Sequence, residues 1–339
     1  MPRTPRPRHP AVPQEFCLRF SFVVYAQGAD TGARYGGSRP PVQPEPRPTR
    51  SGADPRRTMT RIAFLDVDGT IIEHGSVIAP STVDAVRRAR ANGHLVWLCT
   101  GRADGDIHPD VRAIGFDGAI SNAGAYATRG DELVLQHPMH RDDVAAIEAY
   151  FHAHGIHYFL QSHEAVFASP GIEPMMREYV RERLAKRASE IAALGLDIAP
   201  TTSIPRALPL AEVDRDRVAK AVFVSPSSDT VAHAGAELGE RFHVIPGSIP
   251  LPGGSNGEIG LADVTKGSAI LEVLALLDLG PADAIGIGDS WNDVEMFQVV
   301  GTPVAMGNAP AELQQLAGRV TTSVLEDGVH NAFAELGLL

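Results

Sequence analysis

Two acidic pairs have the spacing that points most directly to chemistry. Asp66 and Asp68 are separated by a single residue and follow the apolar run Ile62-Ala63-Phe64-Leu65. Asp289 and Asp293 are four residues apart, just after a second short apolar run. Carboxylates gathered at a strand end repel one another unless a cation holds them. The spacing therefore predicts a metal site, with an ordinary acidic turn as the alternative for the first pair taken alone.

Two further groups suit a phosphate dianion. Thr100 and Gly101 follow an apolar run, and Lys266 begins a helical pattern much later in the chain. A strand-end hydroxyl and a lone lysine supply the hydrogen-bond donor and the positive charge that a dianionic phosphate needs. Each signal is weak alone, since Thr100 could be a helix cap and Lys266 a surface lysine. Their weight comes from occurring together with the acidic pairs.

These segments and three others occur in a recognisable order. They are Asp66-Val67-Asp68-Gly69-Thr70, Thr100-Gly101-Arg102, Ser121-Asn122-Ala123-Gly124-Ala125, Lys266-Gly267, Gly288 to Asp293, Met306-Gly307-Asn308-Ala309 and Glu326-Asp327-Gly328-Val329. From about Thr60 to the C-terminus, the chain resembles the haloacid dehalogenase superfamily, and within it the Cof-type branch of Mg-dependent phosphatases. Val67 and His330 are small departures that touch no reacting group. Motifs in this order are far more specific than any one of them.

The resemblance implies a phosphatase that works through an aspartyl-phosphate. Asp66 would be the nucleophile, and Asp68 the general acid and then the general base. Mg²⁺ would be held by the Asp66 carboxylate, the Asp68 main-chain carbonyl and Asp289, with Asp293 as a ligand or as a neighbour of one. The groups implied to hold the phosphoryl oxygens are Thr100, the amide of Gly101, Lys266 and Asn292.

The elements around these motifs alternate between strand and helix, which predicts an α/β fold with a doubly wound, Rossmann-like parallel sheet. The motifs fall at the carboxyl ends of strands, where such a sheet keeps its site. Strands are predicted at 61–66, 95–99, 119–121, 284–287 and 303–305, and helices at 81–91 and 266–277.

The long interval between Thr100 and Lys266 breaks that rhythm and predicts an inserted α+β cap domain. Helices are predicted at 142–154, 174–190 and 230–238, and strands at 156–160, 165–168, 221–225 and 242–245. The predicted organisation is a leader at 1–58, core at 59–136, cap at 137–255 and core again at 256–339. The proline-rich stretch ending at Gly254 would return the chain to the core and suits a hinge.

Charge is unevenly distributed along the chain. The net charge is −11, but residues 1–58 hold ten Arg against four acidic residues, or +6, which leaves −17 for the remainder. That segment also holds eleven of the 26 prolines, so a disordered leader is expected. Translation starting at Met59 is the preferred interpretation, with a signal peptide or a basic arm as alternatives. The acidic remainder argues against a nucleic-acid partner.

Apolar runs and the two cysteines exclude other classes. No run of about twenty apolar residues exists, so no membrane span is predicted and a cytoplasmic location is expected. Cys17 and Cys99 offer no disulfide framework. Trp291 is expected to pack. Asp104, Asp106 and Asp110 are expected to be solvated loop acids that cap the next turn.

Three functions are weighed on these residues. A phosphatase acting on a small molecule, such as a sugar phosphate or a phosphorylated cofactor, is preferred because every reacting position is present. A phosphomutase is the alternative, and a non-catalytic regulatory protein the third. Mutase chemistry would use arginines of the cap, but their helical spacing more often means a solvated face. These arginines are Arg177, Arg181, Arg183 and Arg187.

A zinc site in the histidine-rich cap is disfavoured, since His152 and His154 point in different directions on a helix. The histidines of this cluster are His137, His140, His152, His154, His157 and His163.

Overall fold

The structure is a computed structural model that describes residues 60–197, 207–247 and 254–339. The expected leader at 1–58, the start at Met59 and most of the proline-rich return before Gly254 lie outside the described residues. Within residues Thr58–Leu339, which form one unit, two main sheets carry helices on their faces.

Strands and helices are numbered in chain order. The strands are β1 (Ile62–Leu65), β2 (Ile72–Glu73), β3 (Val77–Ile78), β4 (Leu95–Cys99), β5 (Gly118–Ser121), β6 (Tyr126–Arg129), β7 (Glu132–Gln136), β8 (His157–Ser162), β9 (Val166–Ala168), β10 (Ala207–Pro209), β11 (Val218–Ser225), β12 (Phe242–Pro246), β13 (Ser255–Leu261), β14 (Ala284–Gly288) and β15 (Thr302–Ala305). The helices are α1 (Pro80–Ala91), α2 (Pro109–Ile114), α3 (Arg141–Ala153), α4 (Ile172–Ala193), α5 (Thr230–Leu238), α6 (Lys266–Leu276), α7 (Val294–Val299), α8 (Ala311–Ala317) and α9 (Gly328–Glu335).

The first sheet has the order β15-β14-β1-β4-β5-β6-β7. Its central strand β1 is apolar and buried throughout, as expected for a parallel strand covered on both faces. Ile62 lies opposite Ala284 of β14 and Leu95 of β4, and both pairs are parallel. Strands β15 to β5 all run parallel, so their carboxyl ends meet at one edge. The predicted α/β fold is confirmed.

Helices cover both faces of this sheet because successive β1 side chains point in opposite directions. Phe64 packs with Ile270 of α6 on one face. Leu65 packs with Val86 of α1 and Phe333 of α9 on the other. Each such buried side chain contributes about 1.5–3 kcal/mol, so the site is mounted on a rigid layer.

Strands β6 and β7 extend the sheet in the antiparallel sense, and no strand was predicted there. β7 lies at the edge and is largely exposed. An edge strand needs no long apolar run, which is why its sequence signal is weak.

The second sheet is built from the inserted segment, with the order β10-β9-β8-β11-β13-β12. It has its own core, in which Phe151 of α3 stacks on Tyr158 with ring centroids 4.7 Å apart and also contacts Phe223. The sheet is mostly antiparallel, an α+β arrangement. Its strand β13 ends at Leu261, past the expected cap boundary at residue 255.

No helix in the described ranges combines the length and the apolar character that crossing a bilayer requires.

Candidate active site

Lys266 is the centre of a buried cluster of charges at the carboxyl edge of the first sheet. Its Nζ donates to Oδ1 of Asp66 at 2.7 Å and to Oδ1 of Asp293 at 2.6 Å. Only 2% of Lys266 is exposed. Burial lowers the pKa of Lys266, but attraction to Asp293 and Asp66 outweighs it, and the net pKa lies well above the usual value. The ammonium therefore stays charged and ties the first acidic segment to the second.

One lysine does not neutralise the carboxylates around it. Asp66, Asp289 and Asp293 each offer an oxygen, and these oxygens lie within 4.8 Å of one another. Burial raises the pKa of Asp66 to about 7, although Lys266 opposes the rise. Burial and then repulsion from Asp66 and Asp293 raise the pKa of Asp289 to about 8. An all-oxygen set with surplus negative charge fits a hard divalent cation.

Gly69 allows the two acidic segments to approach this closely. Its φ is +86°, and a Cβ at this position would overlap the Asp289 carboxylate. Oγ1 of Thr70 donates to Oδ1 of Asp289 at 3.4 Å. Glycine is required here both for its left-handed backbone and for the missing side chain.

Asp293 is fully buried and has hydrogen-bond partners on both of its oxygens. Oδ2 accepts from the main-chain N–H groups of Asp289 and Ser290, at 3.0 and 3.1 Å. Oδ1 accepts from Lys266. Asp293 therefore fixes the loop that carries Asp289, and its oxygens are occupied by donors from the protein.

Asp68 sits at the rim of the cluster, with its side chain 37% exposed. Its two oxygens accept from Nε and Nη2 of Arg102, at 2.6 and 2.7 Å. Arg102 also donates to the main-chain carbonyl of Asp106 at 3.0 Å. Burial raises the pKa of Asp106 to about 6, against the pull of Arg102. The expectation that Asp106 is a solvated loop acid is wrong, because it lies beside this arginine.

The four residues implied to hold the phosphoryl group lie at the same sheet edge. Gly101, Lys266 and Asn292 line a shared cavity. Oδ1 of Asn292 accepts from Oγ of Ser290 at 2.7 Å and lies 3.4 Å from Nζ of Lys266. Thr100 is buried beneath them, and its Oγ1 accepts from the N–H of Arg102 at 3.1 Å. Its hydroxyl shapes this loop.

The cavity lies between the first sheet and the inserted segment and measures about 450 Å³. That volume suits a small molecule. Trp291, which was expected to pack, is 58% exposed and lines the cavity. The inserted segment contributes five residues to the wall of this cavity, which are His243, Ile245, Pro246, Gly247 and Glu258.

Lys220 is a second buried lysine near the site, and sequence reasoning missed it. It lies on β11, is 4% exposed, and donates from Nζ to Oε2 of Glu258 at 2.6 Å. Nζ also lies 3.6 Å from where a Cβ of Gly101 would stand. The available signal was a lysine inside an apolar strand run, since lysines are almost never buried without a partner.

Other parts of the inserted segment differ from expectation. Arg187 on α4 is buried rather than solvated. Burial first, then Arg183, lower its pKa, while Asp68 raises it. Two of the histidines considered for a zinc site have separate partners. His137 pairs with Glu272 at 3.0 Å, and His140 caps α3.

The raised carboxyl pKa values predict how stability depends on pH. An Asp in the unfolded chain titrates near about 4, whereas Asp66 and Asp289 titrate at about 7 and about 8 in the folded protein. Between these values the folded state binds more protons, so the free energy of unfolding falls as pH rises. We expect the melting temperature of metal-free protein to drop by several degrees between pH values of about 5 and about 8, measured by calorimetry in EDTA.

Millimolar Mg²⁺ should flatten this dependence, because the ion binds only the folded protein with its carboxylates ionised. Asp289→Asn should flatten it without metal, because one of the titrating groups is gone. An identical pH profile in EDTA, in Mg²⁺ and in the variant would contradict the assignment to this cluster.

Comparison with known proteins finds a family and relatives that cover most of this chain. A family model described as haloacid dehalogenase-like hydrolase matches residues 63–333. The protein YkrA of Bacillus subtilis is 28% identical over 284 residues, covering 83% of this chain and 99% of that protein. The 5-amino-6-(5-phospho-D-ribitylamino)uracil phosphatase YwtE of the same organism is 26% identical over 271 residues, covering 78% and 94%. Among solved structures, the phosphatase BT1666 of Bacteroides thetaiotaomicron superposes with a TM-score of 0.67 at 22% identity, covering 85% of this chain and all of that one.

Proposed function

Because this chain belongs to the haloacid dehalogenase-like hydrolases, in their Cof-type branch, we propose that it is a phosphatase that hydrolyses a small phosphate monoester with Mg²⁺. The observation that carries the proposal is the Lys266 cluster. A buried lysine holds Asp66 and Asp293 beside a cavity large enough for a metabolite. The family relatives that are named as phosphatases support the same reaction class.

Asp66 is the nucleophile in this mechanism. A phosphate monoester is inert because its dianion repels nucleophiles, so the site must first neutralise charge. An Asp66 oxygen attacks phosphorus in line, the ester P–O bond breaks, and an aspartyl-phosphate forms. Lys266 contacts Asp66 directly and lines the cavity, so it can balance the charge that moves from carboxylate to phosphoryl oxygens.

Asp68 acts first as the general acid and then as the general base. It gives a proton to the departing alkoxide, and then takes one from the water that attacks the aspartyl-phosphate. That second attack releases inorganic phosphate and restores the Asp66 carboxylate. Arg102 holds both Asp68 oxygens in the resting structure, so it positions this carboxylate at the rim and must loosen its hold when Asp68 is protonated.

The residues that would hold Mg²⁺ are Asp66, Asp289 and the main-chain carbonyl of Asp68. When bound, the ion supplies positive charge against the phosphoryl oxygens. Asp293 serves best by orienting the Asp289 loop and Lys266, because its oxygens already accept from protein donors. Gly101, Lys266 and Asn292 hold the phosphoryl group, and Thr100 shapes the loop beneath.

The inserted segment is the cap that selects the substrate. We place it at about residues 137–261, which extends the boundary expected at 255 to the end of β13. Its cavity wall includes the half-buried His243 and Ile245, and the exposed Trp291 lines the same cavity. An aromatic face can stack on a planar ring or on a sugar. The substrate class is therefore a sugar phosphate or a phosphorylated cofactor.

Lys220 is expected to help bind the substrate. Its Nζ lies near Gly101 of the phosphoryl site, where a second positive charge attracts the substrate's anionic end. Lys220→Met should raise KM about tenfold, or about 1.4 kcal/mol, with little change in kcat. Steady-state kinetics on the preferred substrate measure this split.

Lys186→Met is the matched control, since Lys186 is an exposed lysine on α4 of the same cap. KM should not change in that variant. An unchanged KM in Lys220→Met, on every substrate the parent enzyme turns over, would remove Lys220 from the binding site.

The test of the whole proposal is phosphate release by the full chain from a panel of phosphorylated metabolites, with Mg²⁺ or with EDTA. The panel should hold hexose and pentose phosphates, pyridoxal phosphate, flavin mononucleotide and the ribitylaminouracil phosphate named for YwtE. Release that requires Mg²⁺ supports the proposal, and the ranking of kcat/KM identifies the class. Folded protein that releases phosphate from none of them contradicts it.

A phosphomutase is the second candidate, and the buried Arg187 favours it. A mutase must bind a phosphorylated intermediate from the cap, and Arg187 is a buried cap arginine whose pKa the Asp68 charge raises. Phosphorus NMR of the same reactions separates the two functions. A mutase moves the phosphoryl group to another hydroxyl of the substrate, whereas a phosphatase yields inorganic phosphate.

A further inference from the structure

Three metal-ligating side chains converge on the cap, and none of them lines the active-site cavity. His154 caps the C-terminus of α3. His233 and Glu237 are four residues apart on α5, so they lie on one face of that helix. One ligand atom from each of the three lies within 4.8 Å of the other two. The sequence disfavours a zinc site made by His152 and His154. In the structure, the possible co-ligands of His154 are instead His233 and Glu237, which are distant from it in the sequence.

The separations between these atoms suit a tetrahedral ion. Nε2 of His154 lies 3.4 Å from Oε2 of Glu237. Nδ1 of His233 lies 3.7 Å from the same oxygen. Ligands bound at about 2.0–2.1 Å in a tetrahedron stand about 3.3 Å apart. All three side chains are at least one-third exposed, so small rotations of free rotamers can close the remaining difference.

Tyr150 supports the arrangement from α3. Its hydroxyl lies 3.0 Å from Nδ1 of His233, and its ring centroid lies 4.5 Å from that of His154. This hydrogen bond and the packing of the rings hold the two imidazoles beside Glu237.

Pairs of a histidine with a carboxylate are ordinary on this surface, and a pair alone would carry no weight. His137 with Glu272 and His140 with Asp142 are such pairs. Among the described residues, the group formed by His154, His233 and Glu237 is the one outside the active site that brings three ligands together. A cavity of about 160 Å³ beside His154 and His233 leaves room for a water as fourth ligand.

We propose that His154, His233 and Glu237 form a second metal site, which binds Zn²⁺ or another divalent ion of similar softness and joins α3 to α5. Two imidazoles and one carboxylate favour such an ion over Mg²⁺, which prefers oxygen ligands. The two sites of the protein therefore differ in the metal they select. The ion links residues far apart in the chain, so its binding stabilises the folded cap.

The test is a titration of the full chain, free of any polyhistidine tag, with Zn²⁺ and separately with Co²⁺ in excess Mg²⁺. The Mg²⁺ keeps the carboxylate cluster around Asp66 filled. We expect one equivalent of Zn²⁺ to bind with a dissociation constant in the micromolar range and to raise the melting temperature. Co²⁺ should give the intense visible bands of a four- or five-coordinate site with nitrogen ligands.

His233→Ala and Glu237→Gln should each weaken Zn²⁺ binding at least tenfold and abolish the thermal shift. His137→Ala, which removes one member of an ordinary pair, should change neither. Phosphate release without Zn²⁺ should survive in all three variants and shows that they are folded. Zn²⁺ binding that persists in His233→Ala and Glu237→Gln, or that falls equally in His137→Ala, would overturn the proposal. No bound equivalent in the parent would do so as well.

Discussion

Asp66→Asn is expected to abolish phosphate release, with a loss of about 10⁴-fold or more in kcat. The amide is nearly the same size as the carboxylate, and its carbonyl oxygen can still accept from Nζ of Lys266. What it lacks is an anionic oxygen able to attack phosphorus. The variant should therefore fold and still bind phosphorylated substrate, yet leave it intact. Phosphate release over hours, compared with the parent enzyme, measures the loss.

Asp104→Asn is the matched control. It makes the same chemical change on a loop acid that pairs with Arg112 at 2.8 Å, outside the Lys266 cluster. Its turnover should stay within about twofold of the parent. Acid-quenched parent enzyme should also carry one phosphoryl group in its mass spectrum, mapped to the peptide containing Asp66. If Asp66→Asn keeps a substantial fraction of the parent's turnover, the nucleophile is another group.

The position of Asp66 could be predicted because it follows from local sequence. Ile62 to Leu65 is an uninterrupted apolar run, and a parallel strand covered on both faces buries four such residues in succession. The next residue must then emerge at the carboxyl edge of the sheet. The same reasoning places Asp289 after β14 and Thr100 after β4. Parallel pairing brings the three together without any knowledge of the cap.

The cap wall of the site could not be predicted in the same way. Lys220 and Glu258 belong to β11 and β13, which pair antiparallel across a long sequence separation. Nothing in the local pattern around Glu258 predicts a strand, since Ser255-Asn256-Gly257 reads as a turn. The tertiary pairing with β11 and β12 overrides that local preference. The ion pair between Lys220 and Glu258 depends on the register of β11 against β13.

The predictions for Trp291 and Asp106 were wrong for a different reason. Each residue was expected to lie in the environment that is usual for its residue type. Large aromatic residues are mostly buried, and loop acids are mostly solvated. Trp291 is exposed because it begins the short turn that faces the cavity between the core and the cap. Asp106 is partly shielded from water because Arg102 forms ion pairs with both Asp106 and Asp68. Both environments are created by the site, so they could be read only from the structure.

Lys266→Met carries the second large effect, on both activity and stability. Methionine fills a similar volume but leaves Asp66 and Asp293 buried without their shared cation. The phosphoryl group also loses the positive charge of Lys266, so the transition state should lose about 2–4 kcal/mol of stabilisation and kcat/KM should fall about 30- to 1000-fold. Breaking a buried pair by removing one partner costs about 3–5 kcal/mol of folding free energy when the remaining group stays charged. Steady-state kinetics and urea unfolding measure the two losses.

The dependence of the stability loss on pH distinguishes lost charge from lost packing. Lys266 opposes the rise that burial gives to the pKa of Asp66, so without the lysine this pKa must lie above about 7. Below that pH the Asp66 carboxyl of the variant is protonated, and it has no charge that needs a partner. The part of the destabilisation in metal-free protein that comes from Asp66 should therefore be absent near pH 5 and appear as pH rises through about 7 to about 8. Lys220→Met, which also removes a buried lysine from an ion pair, should leave the pKa of Asp66 unchanged and show no such step. A loss of stability in Lys266→Met that is equal at pH 5 and pH 9 would mean that Asp66 does not depend on the charge of Lys266.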